Sequence, residues 1–265
     1  MRRLIAFDCA GETLAGTLDE AGGTTGLLIV SGGSEIRIGA HRGMALMAQA
    51  IAAAGHPVMR FDRRGIGDST GHDRGFESSA DDIAAALTAF RAKMPQLQRV
   101  IAFGNCDAAS ALALHAPAGL DGLVLANPWV IEAAADDALP PAAAIRARYA
   151  ERLRDPRAWW RLLRGGVDLG KLARGLRKAA APPPAAPQGL AARVASGIAA
   201  ATCPITVLMA RRDNTAIAFA EAWAGDAFAP TRERATLYEC ETDSHSFHRA
   251  QDRAWLLERL SAALG

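Results

Sequence analysis

Several short runs of the chain are apolar at every position, and this feature narrows the possible folds most. Residues 27–30 are Leu-Leu-Ile-Val and residues 100–103 are Val-Ile-Ala-Phe, with no alternation of polar and apolar side chains. Such strands are typical of parallel sheets that are buried on both faces. Longer segments rich in alanine and leucine, with a helical period, separate these runs. The pattern predicts an α/β protein with a mostly parallel sheet between two layers of helices.

The predicted elements alternate along most of the chain. Strands are expected at residues 13–18, 26–31, 57–62, 100–105, 122–126, 205–210 and 235–240. Helices are expected at residues 41–54, 78–94, 107–115, 217–223 and 250–264. Residues 127–202 lack a strand pattern and contain proline-rich breaks at 139–141 and 181–187. We therefore expect the core of the fold at residues 1–126 and 203–265, with a helical cap insert at 127–202.

The predicted insert has an unusual share of the charge. Residues 146–178 contain eleven Lys/Arg and three Asp/Glu, a net charge of +8, whereas the whole chain carries only +2. A solvated helical face would explain this composition, because arginine is common on exposed helices. A cap that faces something anionic would explain it equally well, and both interpretations stay open. The near-neutral total gives no reason to expect nucleic acid or a membrane as a partner.

The cysteines and the apolar runs indicate a soluble protein of the cytoplasm. Cys9, Cys106, Cys203 and Cys240 are widely spaced and form none of the close pairs of zinc sites or redox motifs. A chain of 265 residues can bury a large core without disulfides, so we expect reduced thiols. The apolar stretch near Met1 is too short for a signal-peptide core. No apolar run approaches the ~18 residues of a membrane-spanning helix.

The sequence Gly-Asn-Cys-Asp-Ala at residues 104–108 has the pattern of a nucleophile elbow. It follows a predicted strand and precedes an alanine-rich helix, and small residues flank the tight turn that would expose Cys106. A position at a helix N-terminus favours the reactive thiolate form of cysteine. The competing interpretation is a packed core residue, because free cysteine is among the most buried residue types. The downstream residues favour catalysis.

An elbow nucleophile needs an acid and a histidine later in the chain, in that order. Asp213 follows the predicted strand at residues 205–210, so it lies on a loop at the carboxyl end of that strand. Asp226 and Asp243 compete with it. Only Asp213 directly follows a strand in the required order, and we expect it to orient the histidine.

Two histidines follow the last predicted strand. His245 lies in the loop before the final helix, and His248 lies about one turn later. We expect His245 to be the base and His248 to have a supporting or solvent-exposed role. Together with Cys240 they would supply three zinc ligands, but nothing completes a recognised zinc spacing. We therefore predict no metal and no cofactor.

An acyl-transfer site also needs two N–H donors for the oxyanion. One is expected from the backbone of Asp107, directly after the nucleophile. The other is expected from Gly33, in the Ser-Gly-Gly-Ser loop after the strand at residues 26–31, where glycine lets the backbone approach a substrate. Further residues expected around the pocket are Gly32, Ser34, Asn105 and Trp129, besides His248.

Taken together, these residues resemble the α/β-hydrolase superfamily over nearly the whole chain. Residues 60–69, Arg-Phe-Asp-Arg-Arg-Gly-Ile-Gly-Asp-Ser, are similar to the D-x-R-G-x-G-x-S segment after the fourth strand in many of its members. Residues 31–42 and 127–130 resemble the bacterial hydrolases associated with the exosortase A system. That subfamily implies a genomic association with exopolysaccharide and protein-sorting genes more than a known reaction.

The resemblance implies the α/β-hydrolase fold and acyl-transfer chemistry. Cysteine at the elbow is similar to the dienelactone hydrolases, whereas most members of the superfamily use serine. The expected activity is that of a hydrolase or acyl transferase for an activated ester, lactone or thioester, anionic if the basic cap faces it. The scaffold also has non-catalytic members. A binding protein that docks to an exopolysaccharide or sorting assembly is therefore the alternative.

Overall fold

The computed structural model, which describes residues 1–132 and 189–265, contains an eight-stranded sheet with helices on both faces. Its strand order is β1-β2-β4-β3-β5-β6-β7-β8. The pairs β1–β2 and β2–β4 are antiparallel, and the other neighbours are parallel. The predicted α/β-hydrolase type of sheet is confirmed. The strands are β1 (Arg2–Cys9), β2 (Glu12–Asp19), β3 (Thr25–Val30), β4 (Val58–Phe61), β5 (Arg99–Asn105), β6 (Gly122–Ala126), β7 (Ile205–Ala210) and β8 (Thr236–Cys240).

Seven α-helices lie in the described ranges. They are α1 (Gly43–Ala53), α2 (Ala80–Lys93), α3 (Asp107–His115), α4 (Leu190–Ala200), α5 (Asn214–Ala224), α6 (Ala229–Arg232) and α7 (Ala250–Leu264). The helices α1 and α7 pack on one face of the sheet, and α2 to α5 pack on the other. Short 3₁₀ turns lie at Ala40–Arg42, Phe76–Ser78 and Asp226–Phe228.

Strand β3 explains why an uninterrupted apolar run suits this sheet. Leu28 and Val30 pack into the cluster that contains α2 and α3. Leu27 and Ile29 point to the opposite face, into the cluster that contains α1 and α7. All four side chains are fully buried, and burial of each contributes about 1.5–3 kcal/mol. Both faces therefore need apolar residues.

The helix α4 lies in the segment that the sequence assigned to the cap insert. Its side chains Leu190, Val194 and Ile198 are buried in the same apolar cluster as Leu112 of α3. Most of the predicted insert, including its basic segment 146–178, lies outside the described residues. The domain division stays a prediction, and α4 packs as part of the core.

The carboxyl ends of the parallel strands meet at one edge of the sheet. There, β5 ends at Asn105, β6 at Ala126, β7 at Ala210 and β8 at Cys240. Ligands of open α/β sheets bind outside this edge. Within the described ranges, no helix is long and apolar enough to cross a membrane. All four cysteines are free.

Candidate active site

Cys106 lies on a strained turn between β5 and α3. Its φ of 63° and ψ of −128° are unusual for a residue with a side chain, and such conformations cost about 1–3 kcal/mol. Its N–H donates to the carbonyl of Ala126 at 2.9 Å, and its carbonyl accepts from the N–H groups of Ala109 at 3.1 Å and Trp129 at 3.2 Å. The backbone thus holds the turn from both sides.

Two glycines let neighbouring segments approach this turn closely. A Cβ added to Gly104 would lie 2.7 Å from the backbone carbonyl carbon and oxygen of Ala108. A Cβ added to Gly32 would collide with the carboxylate of Asp107 and lie 3.0 Å from the carbonyl oxygen of Asn105. Real Cβ contacts with backbone are not as short as those at Gly104, so that position requires glycine, whereas a Cβ at Gly32 would require the Asp107 side chain to shift. Glycine is what brings the loop after β3 against the elbow.

His245 and Asp213 lie together at the ends of β8 and β7. Nδ1 of His245 donates to Oδ2 of Asp213 at 2.9 Å. The same oxygen accepts from the N–H groups of Thr215 at 3.1 Å and Ala216 at 3.2 Å, so Asp213 is the N-cap of α5. These bonds hold the nearly buried carboxylate in one orientation toward His245.

The pKa of His245 is raised to about 10, first because its imidazole bonds the Asp213 carboxylate and second because of the neighbouring Cys106 side chain; burial opposes this rise. His245 therefore favours the imidazolium form at neutral pH. The three residues have the order acid, histidine, thiol that an activated cysteine requires.

Asn127 joins three of the strand ends around the site. It is fully buried and has a positive φ of 43°. Its Nδ2 donates to Oδ1 of Asn105 at 3.0 Å and to the backbone carbonyl of His245 at 3.2 Å, and its Oδ1 accepts from the N–H of Ala210 at 2.8 Å. Nδ2 of Asn105 also reaches the carbonyl of His245, at 3.1 Å. These amides fix the histidine loop beside the elbow.

His248 lies away from the triad. Its Nδ1 is 2.8 Å from Oγ of Ser244, and its ring stacks on His41 with centroids 4.5 Å apart. Asp243 pairs with Arg249 at 2.5 Å on the surface, and Asp226 begins a 3₁₀ turn after α5. Among the described residues, His245 forms its side-chain hydrogen bond with Asp213 and with none of these competitors.

The loop after β3 brings Gly33 to the elbow, with one difference from the expectation. Its N–H donates to both carboxylate oxygens of Asp107, each at 2.7 Å. Its carbonyl accepts from the buried guanidinium of Arg63. The N–H of Asp107 lies in the first turn of α3, where a helix offers no internal acceptor. The oxyanion role of both N–H groups stays a prediction, and Gly33 is already engaged.

A cavity of about 590 Å³ opens beside Cys106. Most of the residues predicted around the pocket line it, but His248 does not. The lining residues are Gly32, Gly33, Ser34, Glu35, Ala40, Phe76, Asn105, Cys106, Asp107, Trp129, His245 and Ser246.

Glu35 and Asn127 are the notable residues that the sequence did not single out. Glu35 accepts a hydrogen bond from the N–H of Ala40, and burial raises its pKa. Both residues fall in segments that carry the subfamily resemblance, but a single Glu or Asn in a loop has no spacing that indicates a role. Across the described ranges, no group of three or more His, Cys, Asp or Glu side chains is arranged to hold a metal ion.

Solved structures of similar fold include hydrolases of several kinds. An esterase of Pyrococcus furiosus, Pf2001, has a TM-score of 0.65 and 14% identity, over 100% of this chain and 94% of that one. The thioesterase domain from the curacin biosynthetic pathway has a TM-score of 0.60 and 12% identity, over 98% and 99%. The α/β hydrolase GrgF from Penicillium sp. sh18 has a TM-score of 0.62 and 16% identity, over 100% and 98%. At such identities the likeness shows the fold alone.

The sequence itself matches one family model. The model is described as serine aminopeptidase, S33 (Hydrolase_4), and the match covers residues 28–174, more than half of the 265 residues. No curated protein matches the sequence significantly. The matched segment contains the glycine loop and the elbow. The chain therefore belongs to the serine aminopeptidase S33 family of the α/β-hydrolase superfamily.

Proposed function

We propose that the chain is a hydrolase or acyl transferase that acts on esters or thioesters through Cys106, His245 and Asp213. The observation that carries the proposal is that His245, bonded to Asp213, lines the same cavity as Cys106, which lies on a strained elbow. The names of two structural neighbours, an esterase and a thioesterase domain, support the same class. The family is named for serine, whereas this elbow carries cysteine.

In the acylation step, the Cys106 thiolate attacks the acyl carbon, and the carbonyl electron pair moves onto oxygen. The N–H groups of Gly33 and Asp107 donate to this oxyanion. When the carbonyl re-forms, the bond to the leaving group breaks, and the departing alkoxide or thiolate takes a proton from Nε2 of His245. The high pKa of His245 keeps that proton available at neutral pH. The products are an alcohol or thiol and an acyl-cysteine thioester.

In the deacylation step, neutral His245 removes a proton from water as the water oxygen attacks the thioester carbon. The second tetrahedral oxyanion uses the same two N–H groups. Its collapse expels the Cys106 thiolate and releases a carboxylic acid, while the proton stays on His245. An alcohol or amine in place of water would give acyl transfer by the same steps. Asp213 orients His245 throughout and does not itself take a proton.

Turnover of short acyl esters and thioesters tests this mechanism. Cys106→Ala should lower kcat/KM by roughly 10³-fold or more, because loss of a nucleophile removes the covalent route. Cys203→Ala is the matched control, because Cys203 is also a half-buried free thiol but does not line the cavity. Equal turnover by wild type and Cys106→Ala would overturn the proposal.

One observation favours a non-catalytic binding protein as the second candidate. The N–H of Gly33, which should receive the oxyanion, already donates to the Asp107 carboxylate. Alkylation with iodoacetamide at neutral pH, with the labelled peptide identified by mass spectrometry, separates the two. The enzyme requires Cys106 to react much faster than a free thiol of pKa about 8.5. An ordinary rate would favour the binding protein.

We also propose that the chain is one of the hydrolases associated with the exosortase A system, acting in the cytoplasm, with residues 127–202 as a cap insert whose helix α4 packs on the core. The basic segment 146–178 would steer an anionic substrate, such as an acyl-carrier or coenzyme A thioester or an acidic glycan ester, toward the elbow. Added salt should then lower kcat/KM for anionic thioesters more than for neutral ones. A ratio that does not depend on salt would contradict this steering.

A further inference from the structure

The carboxylate of Asp107 accepts a hydrogen bond from the backbone N–H of Gly33, which is the donor that an oxyanion would need. Both of its oxygens lie 2.7 Å from the backbone nitrogen of Gly33. The bare backbone of Gly32 makes room for it, since any Cβ there would collide with Oδ1. On the other side of the loop, the Arg63 guanidinium donates to the carbonyl of Gly33. The loop is thus held from two sides, and the carboxylate is seated in a fitted position.

Acylation requires this carboxylate to leave. A backbone N–H is a single donor, so it does not serve a carboxylate and an oxyanion together, and two negative oxygens at one donor also repel each other. The bond that must break is charge-assisted, and such bonds are about twice as strong as neutral ones. Asp107 is only half-buried and lines the cavity, so its side chain has room to turn toward a bound substrate.

We propose that the Asp107 side chain determines specificity, by favouring acyl groups that carry a hydrogen-bond donor next to the reacting carbonyl. A hydroxyl or ammonium group on the α-carbon offers the carboxylate a new partner as it releases Gly33. A plain alkyl group offers none, and an acyl group with its own carboxylate repels Asp107. This inference rests on the proposed acyl-transfer function and concerns the acyl side of the substrate. The basic segment would act on the leaving group.

The test compares three matched thioesters of N-acetylcysteamine, with propionyl, 2-hydroxypropionyl and alanyl groups. The rate of the first thiol release, measured by rapid mixing, reports acylation. The wild type should prefer the hydroxy and amino substrates over propionyl. In Asp107→Ala that preference should fall by at least about 10-fold, because a charge-assisted hydrogen bond is lost, and propionyl should react faster than in wild type. The acylation rates of the 2-hydroxypropionyl and alanyl thioesters show whether a hydroxyl or an ammonium group is the better donor to Asp107.

Two further variants keep the test decisive. Asp107→Asn retains an acceptor for the N–H of Gly33 but carries no charge. It should therefore lose the preference for alanyl over propionyl more than the preference for 2-hydroxypropionyl over propionyl. This variant replaces Asp107→Ala if the alanine variant does not fold. Asp226→Asn removes an exposed carboxylate that does not line the cavity, and should keep the wild-type ratios. Unchanged ratios in both Asp107 variants would overturn the inference. Equal turnover by wild type and Cys106→Ala would instead overturn the proposed function.

Discussion

The elbow and the glycine loop meet at one cavity but are held there by different forces. Backbone hydrogen bonds and close contacts within residues 104–109, aided by the end of β6, fix Cys106. The loop at residues 31–42 depends on charged side chains from elsewhere, among them Arg63 and Asp107. The difference teaches that the position of Cys106 is a local property of a short sequence, whereas the loop at residues 31–42 depends on partners distant along the chain.

Arg37 shows how far this dependence reaches. It lies on the loop and donates to the fully buried carboxylate of Asp62, to Oδ2 of Asp68 at 2.8 Å and to Thr17 at 3.1 Å. The backbone N–H of Arg37 also donates to Asp62, at 2.6 Å. The loop is therefore anchored to the segment after β4, the one that resembles the D-x-R-G-x-G-x-S pattern.

The largest expected effect comes from breaking this anchor. Arg37→Ala leaves the buried Asp62 without its ion-pair partner, with the backbone N–H groups of residue 37 and Asp68 still donating to it. Loss of one member of a buried pair costs up to about 3–5 kcal/mol. Denaturant unfolding should show this loss, and kcat/KM should fall with it. Asp68→Asn is the control, because that carboxylate is 73% exposed, and should cost about 1 kcal/mol or less. Similar losses from both variants would mean that the loop does not depend on the buried pair.

Breaking the elbow locally should have the next largest effect. Gly104→Ala places a Cβ 2.7 Å from the backbone of Ala108, and overpacking of this kind costs about 1–3 kcal/mol. Because the collision displaces the nucleophile, kcat should fall more than the free energy of unfolding implies. Gly22→Ala, where φ is not positive and an added Cβ would have no atom within 4 Å, controls for the loss of a glycine without a collision. Unchanged kcat in Gly104→Ala would contradict the close fit.

Asn127 links the two kinds of support, since one buried amide bonds both β7 and the histidine loop. In Asn127→Ala the carbonyl of His245 keeps only its bond from Asn105, and the N–H of Ala210 loses its acceptor. The free energy of unfolding should fall by about 1–3 kcal/mol, because a buried polar group is left unpaired. The signature of a positioning role is a fall in kcat with little change in KM, measured where the variant is fully folded. A loss of stability alone would reduce Asn127 to a structural residue.

The smallest expected effect is on the pH dependence of stability. The pKa of His245 is raised to about 10 in the folded protein. Its stabilising contribution is therefore complete below pH ~6.5, the ordinary value, and is lost as the pH rises toward 10. Because the side chain is 40% exposed, solvent screening limits the loss to about 1 kcal/mol. The free energy of unfolding should fall more steeply over this range in wild type than in His245→Gln; equal slopes would contradict the assigned cause.

The same contrast explains what the sequence predicted. The elbow, Asp213 and His245 follow directly from strand ends, because parallel strands bring their carboxyl ends together whatever the side chains are. The engagement of Gly33 by Asp107 was not predictable, since the two residues are 74 positions apart and no pattern pairs them. The hydrogen bonds of Asn127 span up to 118 positions, and no sequence pattern predicts them either.

The edge strand β1 was missed for a different physical reason. It pairs only with β2, and most of its side chains are exposed, including Leu4 at 78%. A strand with a largely solvated surface lacks the apolar run that identified the central strands. Helix α4 was assigned to the insert because no strand separates it from residues 127–189, although its apolar face packs on the core. In both cases contacts with distant parts of the chain determine where the element packs, and the local sequence pattern does not indicate it.

The most direct test is to trap the acyl-enzyme. Wild type and Cys106→Ala are mixed with an acetyl thioester, quenched in acid within one turnover, and examined by intact-mass and peptide mass spectrometry. The mechanism predicts one acetyl group per chain, on Cys106, in the wild type and none in Cys106→Ala. Acetyl transfer to another residue, or turnover in Cys106→Ala without any adduct, would contradict it.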